Sequence, residues 1–122
     1  MIITTAIPTS ALSGNIQKGG YHKKHAEKVA LRDSAWLQAV AKMHAEGWQT
    51  AQRARLHIHI YYKDKRRRDT LNTINGLKSS IDGCVKAGIL VDDDWQHMEI
   101  GAPKVSIDRE NPRCELKFES LI

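Results

Sequence analysis

Ten residues, RARLHIHIYY from Arg53 to Tyr62, alternate strictly between two kinds of side chain. Ala54, Leu56, Ile58, Ile60 and Tyr62 fall on one side, and Arg55, His57, His59 and Tyr61 on the other. Successive strand residues point to opposite faces, so a period of two over this length predicts a β-strand with one apolar face and one polar, partly aromatic face. Such a strand persists only if neighbouring strands extend its apolar face and helices cover it. The rest of the chain must supply both. A chain of 122 residues has room for one core, so residues 1–122 are expected to form a single domain.

Two helical stretches meet that need. From His22 to about Glu46, Val29, Ala30, Trp36, Leu37, Val40, Ala41 and His44 recur at spacings of three and four, and Gly47 supplies a stop. From Leu71 or Thr73 to Ala87, Ile74, Leu77, Ile81, Cys84 and Val85 form a second apolar stripe that ends at Gly88. At about 100° per residue, Asn75, Lys78 and Asp82 share the flank beside that stripe, and so does Leu71. Further strands are expected from Met1 to Ala6, stopped by Pro8, and over Gln96 to Ala102, Val105 to Ile107 and Cys114 to Phe118, with a turn around Asp108 to Pro112. Thr9 to Gly20 is rich in Ser, Gly and Asn and reads as a flexible loop. The pattern predicts an α+β domain, a small mixed or antiparallel sheet packed against two helices.

Charge narrows the class of partner. Nineteen Lys and Arg against fourteen Asp and Glu give a net charge of +5, which favours a polyanion. Placement says more than the total: Lys63, Lys65, Arg66, Arg67 and Arg68 crowd together, while Asp92, Asp93 and Asp94 group downstream. Segregated signs suit phosphate on one patch and a metal ion on the other. No run approaches the roughly 20 apolar residues of a membrane span, and MIITTAIPTSALSG lacks the basic start of a secretory signal, so the expected location is the cytoplasm. Cys84 and Cys114 stand in no CxxC spacing and read as reduced core thiols. His57 and His59 lack a third ligand in register and read as exposed sheet residues.

Magnesium takes hard oxygen ligands and keeps several waters, so one to three carboxylates plus substrate phosphates suffice. Asp69, Asp92 and Asp93 form such a set if the chain folds back on itself, and Lys78 could then stabilise charge developing on a phosphate. Each residue also has a plain structural reading: Asp69 as a helix N-cap, Asp82 as the i+4 partner of Lys78, and Asp92 to Asp94 as an acidic turn. The adjoining Arg66 to Arg68 run favours the phosphate reading, because strong cations beside metal ligands make sense when phosphate lies between them. Tyr61, Tyr62 and Trp95 could stack on unpaired bases, though ordinary sheet or core packing is the favoured reading.

The run Arg66 to Asp69, then Asn72, Lys78, Asp82 with Gly83, Gly88 and the pair Asp92 and Asp93, resembles the RusA family of Holliday junction resolvases of bacteria and their phages. The resemblance covers roughly Tyr61 to His97, about a third of the chain. It implies a magnesium-dependent homodimeric endonuclease, with manganese able to substitute, that acts on branched DNA and nicks four-way junctions symmetrically in recombination and repair. The family's leading aspartate falls on Asp69, its asparagine on Asn72, its lysine on Lys78 and its acidic pair on Asp92 and Asp93. Asp93 is then catalytic with Asp69 and Lys78, Asp69, Asp92 and Asp93 hold the metal, and Asp82 supports them. Lys63, Lys65, Arg66, Arg67, Arg68 and Asn72 bind DNA. One position departs from the pattern: where the family has DxDN, this chain has Leu71, which cannot bind magnesium. Asp64, Asn72 or Asp94 could compensate. The alternative is a protein that keeps the fold and binds junctions without cutting them, and an RNA-binding or nucleotide-processing role is a third reading of the same charges.

Overall fold

The computed structural model describes residues 1–9 and 20–121. Most of the expected loop from Thr9 to Gly20 lies outside the described residues. Strand β1 spans Ile2–Thr5, helix α1 Gly20–Glu46, β2 Arg53–Tyr62, α2 Thr70–Gly76, α3 Lys78–Ala87, β3 Met98–Ile100, β4 Lys104–Ile107 and β5 Arg113–Leu121. The protein is a mixed α+β structure, as the periodicities predict.

The alternating stretch becomes the central strand. Ala54, Leu56, Ile58, Ile60 and Tyr62 are all buried, while the residues between them are exposed or half-buried. β5 runs antiparallel along β2 from Arg53 opposite Leu121 to Tyr61 opposite Arg113, and β1 continues the sheet antiparallel to β5. The other edge of β2 is shared: β3 lies parallel to its first half, with Ala54 opposite Met98, and β4 parallel to its second half, with His59 opposite Lys104. A parallel neighbour needs a crossover, which α2 and α3 provide. β4 and β5, joined by the turn at Asp108, therefore do not pair with each other, and β2 lies between them.

Several boundaries differ from expectation. The strand expected from Gln96 to Ala102 is only Met98–Ile100, because Asp94 ties the preceding residues into a turn by accepting from the Gln96 and His97 N–H groups. The last strand is longer than expected, since β2 offers a partner along its whole length. The second helix is broken in two at Leu77. This residue is fully buried, and its N–H donates to Ile74 O at 3.0 Å in a tightened turn.

The buried stripe of α1 also runs elsewhere than the large residues suggest. Ala35 and Ala39 are buried, whereas Leu37 is 61 % and Val40 45 % exposed. The cause is a close helix approach. A Cβ on Gly83 of α3 would stand 2.2 Å from the Arg32 carbonyl oxygen of α1, so the two backbones nearly touch and only small residues fit between them. That contact presses α3 onto the sheet over Ile81, Cys84, Ile58 and Leu116, and fixes where its first residue, Lys78, stands.

Candidate active site

Asp69 caps α2. Its backbone is extended and its Oδ1 accepts from the N–H groups of Leu71 at 3.0 Å and Asn72 at 3.3 Å, satisfying donors that the first helical turn leaves without partners. The structural reading of Asp69 is thus realised, and any chemistry it performs is added to a cap. Arg68, next to it, closes the basic loop on itself. Its guanidinium donates to Asp64 Oδ1 at 2.7 Å, to Asp64 O and to Arg66 O, and lies 4.7 Å from the centre of the Tyr62 ring. Bonds from the Arg66 N–H first, then from the Arg68 side chain, hold Asp64 below the usual carboxylate range. With the loop folded this way, Lys63, Lys65, Arg66 and Arg67 remain exposed.

A cleft of about 580 Å³ opens beside this loop, with Tyr62, Lys63, Arg68, Asp69 and Asn72 on one wall and Ile7, Pro8 and Thr9 on another. Tyr62 is 5 % exposed, and its hydroxyl is hydrogen-bonded to Thr73 Oγ1 at 2.8 Å, so it is a core residue and not a stacking surface. The segment after β1 was silent at the level of sequence. Its place in the cleft wall follows from a pairing of β1 with β5 that no local pattern encodes.

Lys78, Asp82 and Asp93 meet one helix away. Lys78 Nζ donates to Asp82 Oδ1 at 2.7 Å, one turn along α3, and to Asp93 Oδ2 from the segment that follows the helix. Asp92 joins the group through its Oδ1, which accepts from the Asp93 N–H at 2.7 Å. The bond to Asp82 first, then that to Asp93, raises the Lys78 pKa, and the Lys78 bond is the main cause holding Asp93 low. The Lys78 ammonium thus lies between the Asp82 and Asp93 carboxylates. α3 positions Lys78 and Asp82. The chain returns Asp92 and Asp93 to them because Ala51 and Leu90 form a bridge just before the acidic run.

The expected site residues thus fall into two groups: Lys78, Asp82, Asp92 and Asp93 in one, and Lys63, Arg68, Asp69 and Asn72 around the cleft in the other. They stand at opposite ends of α2, whose seven residues rise about 10 Å. Among the described residues no three His, Cys, Asp or Glu side chains are drawn together as a metal cage. Magnesium does not require one, since one or two carboxylates with waters and substrate phosphate can suffice, and the adjacent, oxygen-only Asp92 and Asp93 have that donor chemistry. Leu71 is 65 % exposed, on the surface as its place on the polar flank implied. Trp95 is 84 % exposed on a turn held by Asp94, which also accepts from His97 Nδ1 at 2.7 Å.

His57 and His59 are engaged on the open face of the sheet. His57 bonds Glu119 at 2.9 Å, and His59 bonds Ser106 at 2.7 Å and stacks on Tyr61 at 4.0 Å. Cys84 and Cys114 are buried free thiols, each pushed up to about 12 by burial.

An α+β scaffold with a basic loop and an acidic, lysine-bearing cluster on its crossover helices defines the class of protein at this level. Among the described residues no helix is long and apolar enough to cross a membrane. In comparisons with known proteins, the chain matches no family model and no curated sequence.

Proposed function

We propose that the protein is a magnesium-dependent, structure-selective DNA endonuclease that binds branched DNA, above all four-way junctions, and cuts it by phosphodiester hydrolysis in the cytoplasm of a bacterial cell or phage-infected host. The observation that carries this reading is the meeting of Lys78, Asp82 and Asp93, drawn from two segments, one short helix away from four exposed cations. It is supported by the resemblance of the Tyr61 to His97 stretch to the RusA family.

Asp92 and Asp93 are the residues that would hold the ion, with Asp69 the remaining carboxylate of the set. When bound, magnesium supplies polarisation of a phosphoryl oxygen and a hydroxide from bound water, and manganese serves the same ends. The chain's own groups do the rest. Lys78, kept protonated by Asp82 and Asp93, stabilises the charge that develops on the phosphate. Lys63, Lys65, Arg66 and Arg67 neutralise the strand's phosphates, Arg68 holds the loop that presents them, and Asn72 offers an amide at the cleft. Two copies related by a two-fold axis would give paired symmetric nicks.

The test is incubation of the pure protein with a synthetic four-way junction and magnesium. Symmetric nicks are expected, lost with a chelator and in Asp93→Asn and Asp69→Asn; activity unchanged in both variants overturns the assignment. A specific observation favours a second reading. The exposed Leu71 offers no ligand atom where the family has a carboxylate, which suits a protein that binds junctions without cutting. In that case binding is salt-sensitive, magnesium yields no product, and Leu71→Asp gains cleavage.

A further inference from the structure

β4 is an outer edge of the sheet. It pairs with β2 on its inner side and, among the described residues, with no strand on its outer side. The Asp108 N–H donates to Tyr62 O at 2.7 Å. By the alternation of a strand, the backbone groups of Ser106 and Lys104 also turn toward β2, and those of Val105 and Ile107 face outward. An outward ladder of this kind is a template for another strand unless charge, proline or a bulge blocks it. Here the flanking side chains invite pairing. Val105 and Ile107 lie opposite the buried Ile60 and Tyr62 of β2, on the helix-covered face. Yet Val105 is 48 % and Ile107 47 % exposed, and Ile100 on β3 is 55 % exposed.

The edge is complementary to itself in one antiparallel register. Centred on Ser106, a two-fold axis sets Val105 opposite Ile107 of a second copy, both outward-facing, so that the pair exchanges both backbone hydrogen bonds. The same axis sets Lys104 opposite Asp108, an opposite-charge pair. Asp108 already accepts from Arg113 and from the Asn111 N–H, and a carboxylate has acceptor capacity beyond two bonds. Centring on Val105 would instead oppose Ile107 to Pro103, which has no N–H, and centring on Ile107 would oppose Val105 to Arg109. We propose that β4 is a self-association edge, to which a second copy of this chain adds its own β4 antiparallel in the Ser106-centred register, carrying the sheet across a two-fold axis. This deepens the paired-nick reading by naming the surface through which two copies meet, but it stands on sheet geometry and fails or holds without DNA.

The full chain is examined by sedimentation equilibrium, and as Ser106→Cys under mild oxidation. Across the axis the two copies of this position form a non-hydrogen-bonded pair with Cα atoms about 4.5 Å apart, inside the range a disulfide spans. Cys84 and Cys114 are buried and do not compete. A concentration-dependent mass of twice 13.8 kDa, a covalent dimer in Ser106→Cys but not in Lys117→Cys on the neighbouring open face, and a monomer of unchanged circular dichroism in Ile107→Lys are expected. A monomer at every concentration, a dimer that survives Ile107→Lys, or crosslinking no better than that of Lys117→Cys overturns the proposal. Loss of junction cleavage with the crosslink intact overturns the nuclease reading alone.

Discussion

Lys78 and the arginines of the loop before Asp69 sit at opposite ends of α2, and their surroundings differ in a way that counting charges along the chain does not show. Lys78 is matched by Asp82 and Asp93, and Asp92 and Asp94 stand close by in the chain, so that end of the helix is acidic on balance. The loop from Lys63 to Asp69 holds five cations and two aspartates; Arg68 is folded into its framework, and the more exposed Arg66 guanidinium stands 4.0 Å from Asp64. One region is a closed set of ion pairs ordered before any partner arrives. The other is an exposed set of cations in excess of its own aspartates, open to counter-charge from outside. A polyanion that lies across α2 would meet attraction at one end and, at the other, a place where only a cation or a single well-placed phosphate is welcome.

The largest expected effect separates a chemical role for Lys78 from a structural one. In the cleavage-competent protein, wild type or Leu71→Asp, Lys78→Met should lower the single-turnover rate about 10²–10³-fold, the scale of losing one stabilising donor at a reacting phosphate. Junction affinity should stay within a factor of about three, because the cluster is acidic and adds little to binding. Folding should lose less than about 1 kcal/mol, as Lys78 is 62 % exposed and exposed ion pairs contribute little. An unchanged rate would make the cluster an ordinary helix-surface network.

The open region responds in the opposite sense. Arg66→Ala with Arg67→Ala should weaken junction binding on the order of tenfold and make the dependence of log K on log salt shallower by about 2 units, close to 0.9 per lost phosphate contact. Titration at several salt concentrations reads both quantities. Once substrate saturates, the cleavage rate should be unaltered. If the salt slope does not move, the phosphates bind elsewhere, and the contrast between the two ends of α2 carries no functional meaning.

Local signals were legible wherever a residue's role depends on near neighbours. The alternation of β2, the Asp69 cap, the Lys78 to Asp82 pair and the stop at Gly88, which has φ 98°, are all short-range effects and appear as expected. What escaped depends on contacts distant in sequence. Leu37 and Val40 look like core residues of α1, but the approach of Gly83 turns the alanine face inward instead. The placing of β2 between β4 and β5 needs three segments at once. Bringing Asp93 to Lys78 needs the bridge between Ala51 and Leu90, two residues with no pattern to mark them as partners.

The smallest expected effect, a change in folding stability, bears on the residue that belongs to neither end entirely. Asp69 caps α2 and also lines the cleft, so replacing it disturbs structure and chemistry together unless the substitutions are chosen to divide them. Asp69→Ala removes the acceptor for the Leu71 and Asn72 N–H groups and should cost about 1 kcal/mol in denaturant unfolding. Asn caps nearly as well as Asp, so Asp69→Asn should unfold within about 0.3 kcal/mol of the wild type while losing the charge a metal ion would need. Asp69→Asn that is stable and inactive assigns the carboxylate to chemistry. Asp69→Asn that is stable and fully active leaves it a cap, and the ion must then be held from the far end of α2 by Asp92 and Asp93 alone, two carboxylates of the kind magnesium accepts when substrate phosphate completes its shell.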